Sequence, residues 1–483
     1  MNRGLRALLS PRSVAVVGAT PDPGKLGYSV CENLLQGGFP GEVYPVNPRH
    51  REIMGRRAYR SLEDIGRPVD LVLSAVGARA TIDLVERCGR AGVRAVVAFA
   101  AGFREVGGTG QRPEEELGAA ADRAGVCLLG PNTPGLIHAG LSLNATFFPF
   151  RVEPGPVAVI TQSGGVGGAI YRKLLEEGTG IAYWIGVGNR TRTDFADLVP
   201  AVSENPAVRV VALYLEGTER GRDLIAALRA ASCRKPVVVL KGGRGEGADS
   251  LTLGHTGSLA GAGPVVQGVL RQARAIQVGT ATELACACKA LALCPAPPGG
   301  RVGILTPSGG GSIVIHDILA EWGTPLADLS DNTRQRLRDS IGNVSAVILK
   351  NPLDLTTSGF DAGLYGRVAR RMAEAPEVDI LLAVFPIHKD FPPPDEHLVE
   401  IRRNTGKPVV VYWIAIDRLA QEEDTRRRAL EAQGVPVFLL PEEAAWAVRS
   451  LSLRGGWRTG RVSRRDTRLS ARPPVNLLGE TGE

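Results

Sequence analysis

The chain has 483 residues, 44% of them hydrophobic and 22% charged, and carries a formal net charge of +7 at neutral pH. That length is more than one hydrophobic core serves, so two to four domains are expected, and the composition is that of an ordinary globular protein. It excludes a disordered, collagen-like or membrane-embedded chain, since no apolar run approaches the length of a membrane span.

The first residues, "MNRGLRALLSPRSVAVVGAT", have a basic start but no apolar stretch ending in a small-residue cleavage site. They lead directly into a buried-strand pattern, and a cytoplasmic setting is expected. "SVAVVGATPDPGKLGYSVCENLL" then reads as strand, glycine turn and helix, a Rossmann-type opening in which a helix N-terminus faces a phosphate. Gly18, Gly24 and Gly27 do not follow the G-x-G-x-x-G spacing, so the dinucleotide signal is weak. The end of the next strand is more informative. "VYPVNPRH" offers Asn47, Pro48 and Arg49, with Lys25 in the preceding turn, where NAD enzymes place an acid. Cations at that point imply a phosphorylated ribose, as in coenzyme A or NADP.

Further runs, "DLVLSAV", "AVVAFAA" and "VCLLGPN", complete a first domain expected over residues 1–150. A second, over 151–295, opens after "RVEPG" with "PVAVITQ", "VRVVALYLEG" and "KPVVVLKGG". A third, over 296–455, follows "CPAPPGG" with "RVGILTP", "DILLAVFP", "KPVVVYW" and "VPVFLL". Short runs apolar on both faces, separated by helix-length segments, predict parallel sheets covered by helices on both sides. Residues 456–483 lose the periodicity. From Gly455 onward six arginines stand against three acids, and this basic tail is expected to be disordered.

The second and third domains repeat one another. "VAVITQSGGVGGAI" from Val157 aligns with "VGILTPSGGGSIVI" from Val302, sharing Thr161/Thr306, Ser163/Ser308, Gly164/Gly309, Gly165/Gly310 and Ile170/Ile315. "KPVVVL" from Lys235 likewise matches "KPVVVY" from Lys407. There the copies part: the second continues into "KGGRGEGADSLTLGHTGSLAGAG", the third into an ordinary polar-faced helix. What the fold alone requires should occur in both copies, so the insertion points to chemistry.

His255 is the only titratable nucleophile in that insertion's glycine-rich end, among Gly254, Thr256 and Gly257. Small residues and hydroxyls let a backbone approach a phosphate closely. Neutral imidazole is a nucleophile near pH 7. Backbone amides of Ser163, Gly164 and Gly165, at the start of the predicted helix after "TQSGG", form a second phosphate-binding element. Glu216 ends the strand "VVALYLEG". Lys241 and Arg244 are either phosphate contacts or a solvated turn.

No metal site is predicted. The seven cysteines (31, 88, 127, 233, 286, 288 and 294) are scattered, and Cys286 and Cys288 are too close for a zinc-type C-x-x-C, so they read as core thiols. With no aromatic stacking series and no helix-turn-helix signature, no nucleic-acid partner is expected.

Taken in order, "GATPDPGKLGYSV", "YPVNPRHREIMG", "AAGFREVG", "LLGPNTPGL", "LNATF", "TQSGGVGGAI", "YLEG", "LKGGR" and "GHTGSLAG" resemble the CoA-binding and ligase domains of NDP-forming acyl-CoA synthetases. This is the superfamily of succinyl-CoA synthetase and ADP-forming acetyl-CoA synthetase, and "NPLDLT" at 351–356 is similar to the extra domain of the acetyl-CoA type. The resemblance implies an α/β chain with a Rossmann-like CoA-binding domain followed by two flavodoxin-like doubly wound domains. It implies that His255 carries the phosphoryl group, oriented by Glu216. The CoA contacts it implies are Gly18, Thr20, Lys25, Asn47, Pro48, Arg49, Val76, Gly102 and Asn132. Coenzyme A and phosphate are then substrates of this chain, with a small carboxylic acid or its acyl-CoA. Two positions depart from the family pattern: Thr133 stands where cysteine is common, and Gly77 where proline is usual. Nothing in the chain resembles an ATP-grasp domain. An α-type subunit is therefore expected, in a hetero-oligomer whose β-type ATP-grasp partner on a separate chain binds ADP or ATP with Mg. Two rivals remain: a non-catalytic CoA- or acyl-CoA-binding protein of the same fold, and an NADP-linked oxidoreductase using the first domain.

Overall fold

The structure, a computed structural model, describes residues 1–243, 263–342, 347–387, 393–414 and 421–460. Arg244, Gly254, His255, Thr256 and Gly257, and the tail from 461, lie outside the described residues. The chain divides into two compact units, Met1–Cys288 and Lys289–Glu483.

The first unit contains two sheets. Strands β1 (Ser13–Val17), β2 (Glu42–Val46), β5 (Leu71–Ser74), β6 (Ala95–Ala98) and β7 (Cys127–Leu129) form one of them, with a short hairpin of β3 (Glu52–Ile53) and β4 (Arg56–Arg57) beside it. The sheet is parallel, in the order β2-β1-β5-β6-β7. Every residue of β5 and β6 is buried, as strands covered on both faces require. The order reverses between β1 and β5, and ligands of open α/β sheets bind in the crevice at such a switch point.

The second sheet is built from β8 (Gly135–His138), β9 (Leu143–Thr146), β10 (Pro154–Thr161), β11 (Ile181–Gly186), β12 (Val210–Leu215), β13 (Val237–Lys241) and β14 (Ile276–Val278). Its order is β14-β13-β12-β10-β11-β8-β9, with its switch point between β10 and β12. One apolar cluster, including Val16, Leu73, Leu136, Ile160 and Leu213, runs through both sheets.

Here the sequence-based division needs a correction. Residues 135–146, assigned to the 1–150 domain, pair with the second sheet: β8 lies antiparallel to β11, and β9 antiparallel to β8. The physical reason lies in β11, whose six residues are all buried. A strand apolar on both faces cannot leave one edge open to water, and the hairpin supplies the missing neighbour.

The second unit holds β15 (Val302–Thr306), β16 (Leu353–Asp354), β17 (Ile380–Pro386), β18 (Val409–Ile414) and β19 (Val437–Phe438), parallel and in the order β16-β15-β17-β18-β19. The second correction falls at its end. Periodicity was expected to stop at 455, but the last helix runs Pro441–Thr459 with Gly455 and Gly456 buried in it. Two adjacent glycines read as breakers in sequence, yet as buried helical residues they allow close packing that a side chain would prevent.

The repeated strand-turn-helix is seen in both copies. After β10 the Gly164–Glu176 helix buries Gly167, Ile170, Tyr171 and Leu174, one face at helical spacing. After β15 the Gly309–Glu321 helix buries Ser312, Ile315 and Leu319. Each turn is closed in the same way. Thr161 Oγ1 donates to the Ser163 carbonyl at 2.7 Å, and Thr306 Oγ1 to the Ser308 carbonyl at 2.8 Å.

Candidate active site

At the first switch point the chain turns sharply at Gly18, whose φ is +91°. A Cβ there would stand 2.6 Å from the Ala75 carbonyl oxygen and 2.9 Å from the Val76 side chain, so only glycine lets the turn after β1 pass the end of β5. Gly27, in the first turn of the next helix, fits as tightly, since a Cβ would meet the Gly18 carbonyl at 2.1 Å. It performs the helix-to-strand packing of a fingerprint glycine at a spacing the motif does not anticipate. Thr20 Oγ1 accepts from the Asp22 amide at 3.3 Å. Lys25 is exposed and pairs with Asp22 at 3.2 Å, a partner that the sequence reading did not weigh. The backbone amide of Gly24 and the Lys25 ammonium hold the Asp22 carboxyl below its usual value.

Asn47 uses both ends of its amide within the protein. Its Nδ2 donates to the Ala19 carbonyl at 2.7 Å, and its Oδ1 accepts from the Arg49 amide at 2.8 Å. It fixes the two loops that border the cleft, while Pro48 and Arg49 stay exposed to solvent. Gly102 has a φ of +98°, and its amide and that of Phe103 are held by Glu105 Oε1 at 2.6 and 3.1 Å.

At the second switch point the Gly164–Glu176 helix starts with Ser163 as N-cap, whose Oγ accepts from the Val166 amide at 3.4 Å. Residues 163–165 thus present helix-terminal amides at the carboxyl edge of the sheet, where partial positive charge favours an anion. Across the crevice Glu216, following β12, is 7% exposed. Its amide and that of Gly217 donate to Gln162 Oε1 at 2.9 and 3.2 Å, which ties the end of β12 to the end of β10. Lys241 is buried and donates to the Glu216 carbonyl at 2.7 Å and to the Gly242 carbonyl. The structure therefore shows Lys241 supporting the strand end, and not as a solvated turn. Burial, followed by the nearby Glu216 carboxylate, pushes the Tyr214 phenol well above its usual range.

A buried polar network ties loops that follow β6 and β7 of the first sheet to the loop that follows β11 of the second. Asn189, in the loop after β11, is 3% exposed. Its Nδ2 donates to Glu105 Oε2 at 2.6 Å and Glu114 Oε2 at 2.9 Å, and its Oδ1 accepts from Asn132 Nδ2 at 3.3 Å. Glu114 also accepts from Thr191 Oγ1 at 2.6 Å and pairs with Arg104 at 3.2 Å. Arg190, buried, reaches Asp194 at 3.8 Å and Glu219 at 3.6 Å. Burial alone would raise the Glu105 carboxyl; the bonds from Asn189 and the backbone amides outweigh it and hold the group below its ordinary value. The "GPNTPG" loop carrying Asn132 also borders the phosphate-type turn, because a Cβ on Gly164 would lie 3.5 Å from Pro134 and 3.4 Å from Phe148. Thr133, 2% exposed, is occupied within this loop, donating to the Gly186 carbonyl at 2.5 Å and accepting from the Gly135 amide at 3.0 Å.

Of the residues singled out in sequence, the first crevice gathers Gly18, Thr20, Lys25, Asn47, Pro48, Arg49 and Val76. The second gathers Ser163, Gly164, Gly165 and Glu216, while Gly102 and Asn132 meet the loop after β11 through Glu105 and Asn189. Gln162, Asn189, Glu114 and Arg190 were not anticipated. Their signal was faint: Gln162 and Asn189 each follow an apolar run and find their partners in distant segments, and Glu114 is one acid among several in a polar helix.

Comparison with known proteins places this arrangement. A CoA binding domain model matches residues 12–139, and a succinyl-CoA ligase-like flavodoxin domain model matches 154–291. The alpha subunit of ADP-forming acetate–CoA ligase II of Pyrococcus furiosus is 36% identical over 451 residues, covering 92% of this chain and 96% of that subunit. ADP-forming acetate–CoA ligase I of Archaeoglobus fulgidus is 33% identical over 453 residues, covering 93% of this chain but 63% of that protein. Among solved structures, acetyl-coenzyme A synthetase 1 of Ca. Korarchaeum cryptofilum in complex with phosphate and ADP superimposes with a TM-score of 0.86 at 31% identity, over 95% of this chain and 98% of that one. The chain belongs to the ADP-forming acyl-CoA ligase family, among its alpha-type chains.

Proposed function

We propose that this chain is the CoA- and phosphohistidine-bearing subunit of an ADP-forming acyl-CoA ligase, interconverting acyl-CoA, ADP and phosphate with a carboxylic acid, CoA and ATP. The observation that carries the reading is an asymmetry between two copies of one turn. At Gly309, the counterpart of Gly164, a Cβ would stand 2.9 Å from the Asp354 carboxylate, whereas the nearest atoms at Gly164 belong to Phe148 and Pro134. A carboxylate beside a helix N-terminus opposes an incoming anion; aromatic and proline carbon does not. Only the copy followed by the histidine insertion has a turn suited to phosphate.

In this reading the first crevice holds CoA through Gly18, Thr20, Val76 and Gly102, with Lys25 and Arg49 facing its phosphates and the Asn47–Pro48 turn shaping the rim. Asn132 borders the thioester. Phosphate rests on the amides of Ser163, Gly164 and Gly165 and on the loop of Gly254, Thr256 and Gly257. A phosphate oxygen attacks the thioester carbonyl; the C–S bond breaks, and CoA leaves as thiolate, taking up the proton that phosphate gives up. The neutral imidazole of His255 then attacks phosphorus, the P–O bond to the acyl group breaks, and the carboxylate departs. Glu216 orients the ring and stabilises its charged, phosphorylated form. Finally ADP accepts the phosphoryl group and the N–P bond breaks, which restores the imidazole. The nucleotide, with Mg, is held by an ATP-grasp partner chain. The alpha-subunit naming of the relatives and the longer Archaeoglobus protein both support a second component.

The test uses labelled orthophosphate, a short-chain acyl-CoA and an ATP-grasp partner. The protein should acquire acid-labile, base-stable label at His255. A wild-type protein that turns over without such label would overturn the phosphohistidine.

A further inference from the structure

Gln162 stands between β10 and the N-cap Ser163 and is 6% exposed. Its two ends are unlike. The Oε1 accepts from the amides of Glu216 and Gly217, which also settles which end is oxygen, since a reversed amide would point its N–H groups at two N–H donors. The Nε2 is buried and has no hydrogen-bond partner among the described residues. An unsatisfied buried donor is costly, and natural proteins keep few of them without a use. This one lies at the switch point, one residue from the cap of the Gly164–Glu176 helix and within one amide's width of the backbone of Glu216.

We infer that Gln162 is a phosphate-binding residue: its Oε1 anchors the Glu216 backbone, while its Nε2 donates to an oxygen of the phosphate or acyl phosphate seated on the Ser163–Gly165 amides. The inference rests on the phosphohistidine reading and adds a donor to it. The duplicated turn supplies an independent argument. Where the second sheet has Thr161-Gln162-Ser163-Gly164, the second unit has Thr306-Pro307-Ser308-Gly309, and the turn closes by the same Thr-to-Ser bond. The fold therefore does not need the glutamine. It is absent from the copy where a Cβ on the turn glycine would meet the Asp354 carboxylate, and present in the copy where the nearest atoms at that glycine are carbons of Phe148 and Pro134.

Gln162→Glu separates the two roles, because a carboxylate still accepts from both amides but cannot donate. With the partner subunit present, the KM for orthophosphate should rise at least tenfold, while the KM for CoA and the melting temperature stay near wild type. The phosphate KM of Q162E should recover as pH falls, because a protonated carboxyl regains a donor; a purely structural role would show no such profile. Gln162→Met removes the donor, and the Oε1 acceptor with it, without adding charge; read beside its melting temperature, it should raise the phosphate KM several-fold even if Q162E folds poorly. If wild type labels at His255 and both variants keep a wild-type phosphate KM, this inference is overturned and the relay stands. If wild type takes no label, the relay is overturned and this assignment falls with it.

Discussion

His255 and Arg49 sit at opposite ends of the proposed chemistry and make separable claims. His255→Ala should lower kcat by on the order of a thousandfold or more, as removal of a nucleophile does, with the melting temperature unchanged. Steady-state kinetics with the partner chain and a thermal scan read both quantities; retained turnover would remove the histidine from the mechanism. Arg49 is exposed beside a turn that Asn47 holds in place, so Arg49→Ala should leave the fold alone and narrow the preference for CoA over dephospho-CoA. Titration calorimetry of both ligands checks this, and equal affinities in wild type would detach Arg49 from the 3′-phosphate. Such residues were legible because their chemistry is local: a histidine among glycines, a cation where an acid is usual. Asn189 and Glu114 were not legible. Their importance comes from hydrogen bonds to residues brought close by the meeting of two sheets, and no short window of sequence contains both partners.

The paired turns allow an element-scale test in which the protein is its own control. Ser163 caps the Gly164–Glu176 helix through its side chain, whereas Ser308, its counterpart, makes no such bond. Ser163→Ala should destabilise the first unit by about 1 kcal/mol, and Ser308→Ala should be close to neutral, as judged by urea denaturation. Equal losses would mean that the cap plays no special part at the first turn. A second element, the Gly102–Glu105 loop, is held by one carboxylate on two amides and Asn189. Glu105→Ala frees those amides and should raise the KM for CoA several-fold with little change in kcat. At this scale the strands were readable from their apolar runs, and the duplication from aligned motifs. The partner of each strand was not. "GLIH" and "LNAT" look like strands in any window, and only the edge of β11 that they cover decides that they join the second sheet. The end of the last helix was obscured for a related reason, since Gly455 and Gly456 are indistinguishable in sequence from a terminator until their burial is known.

At the scale of the whole molecule, the proposed reading assigns to the described residues two of the three binding functions that the net reaction needs. In that reading one switch point takes CoA and a second takes phosphate, in two sheets whose loops are tied together by Asn189. The third sheet has a switch point as well, but its turn carries Asp354 at Gly309 and a proline in place of Gln162. A nucleoside diphosphate brings two phosphates and their negative charge, and a turn guarded by a carboxylate is a poor seat for them. ATP formation should therefore depend on a second chain. Purified alone and given acyl-CoA, labelled phosphate and ADP, the chain should release no ATP above background by luciferase assay. Addition of an ATP-grasp subunit should start ATP release, saturating at a fixed ratio of the two chains. Asp354→Asn should not change this dependence, because the variant removes a repulsion without building a nucleotide site. ATP production by the chain alone would place a nucleotide site in the second unit or the tail and would end the two-chain proposal, while leaving the assignments at His255 and Gln162 to their own tests.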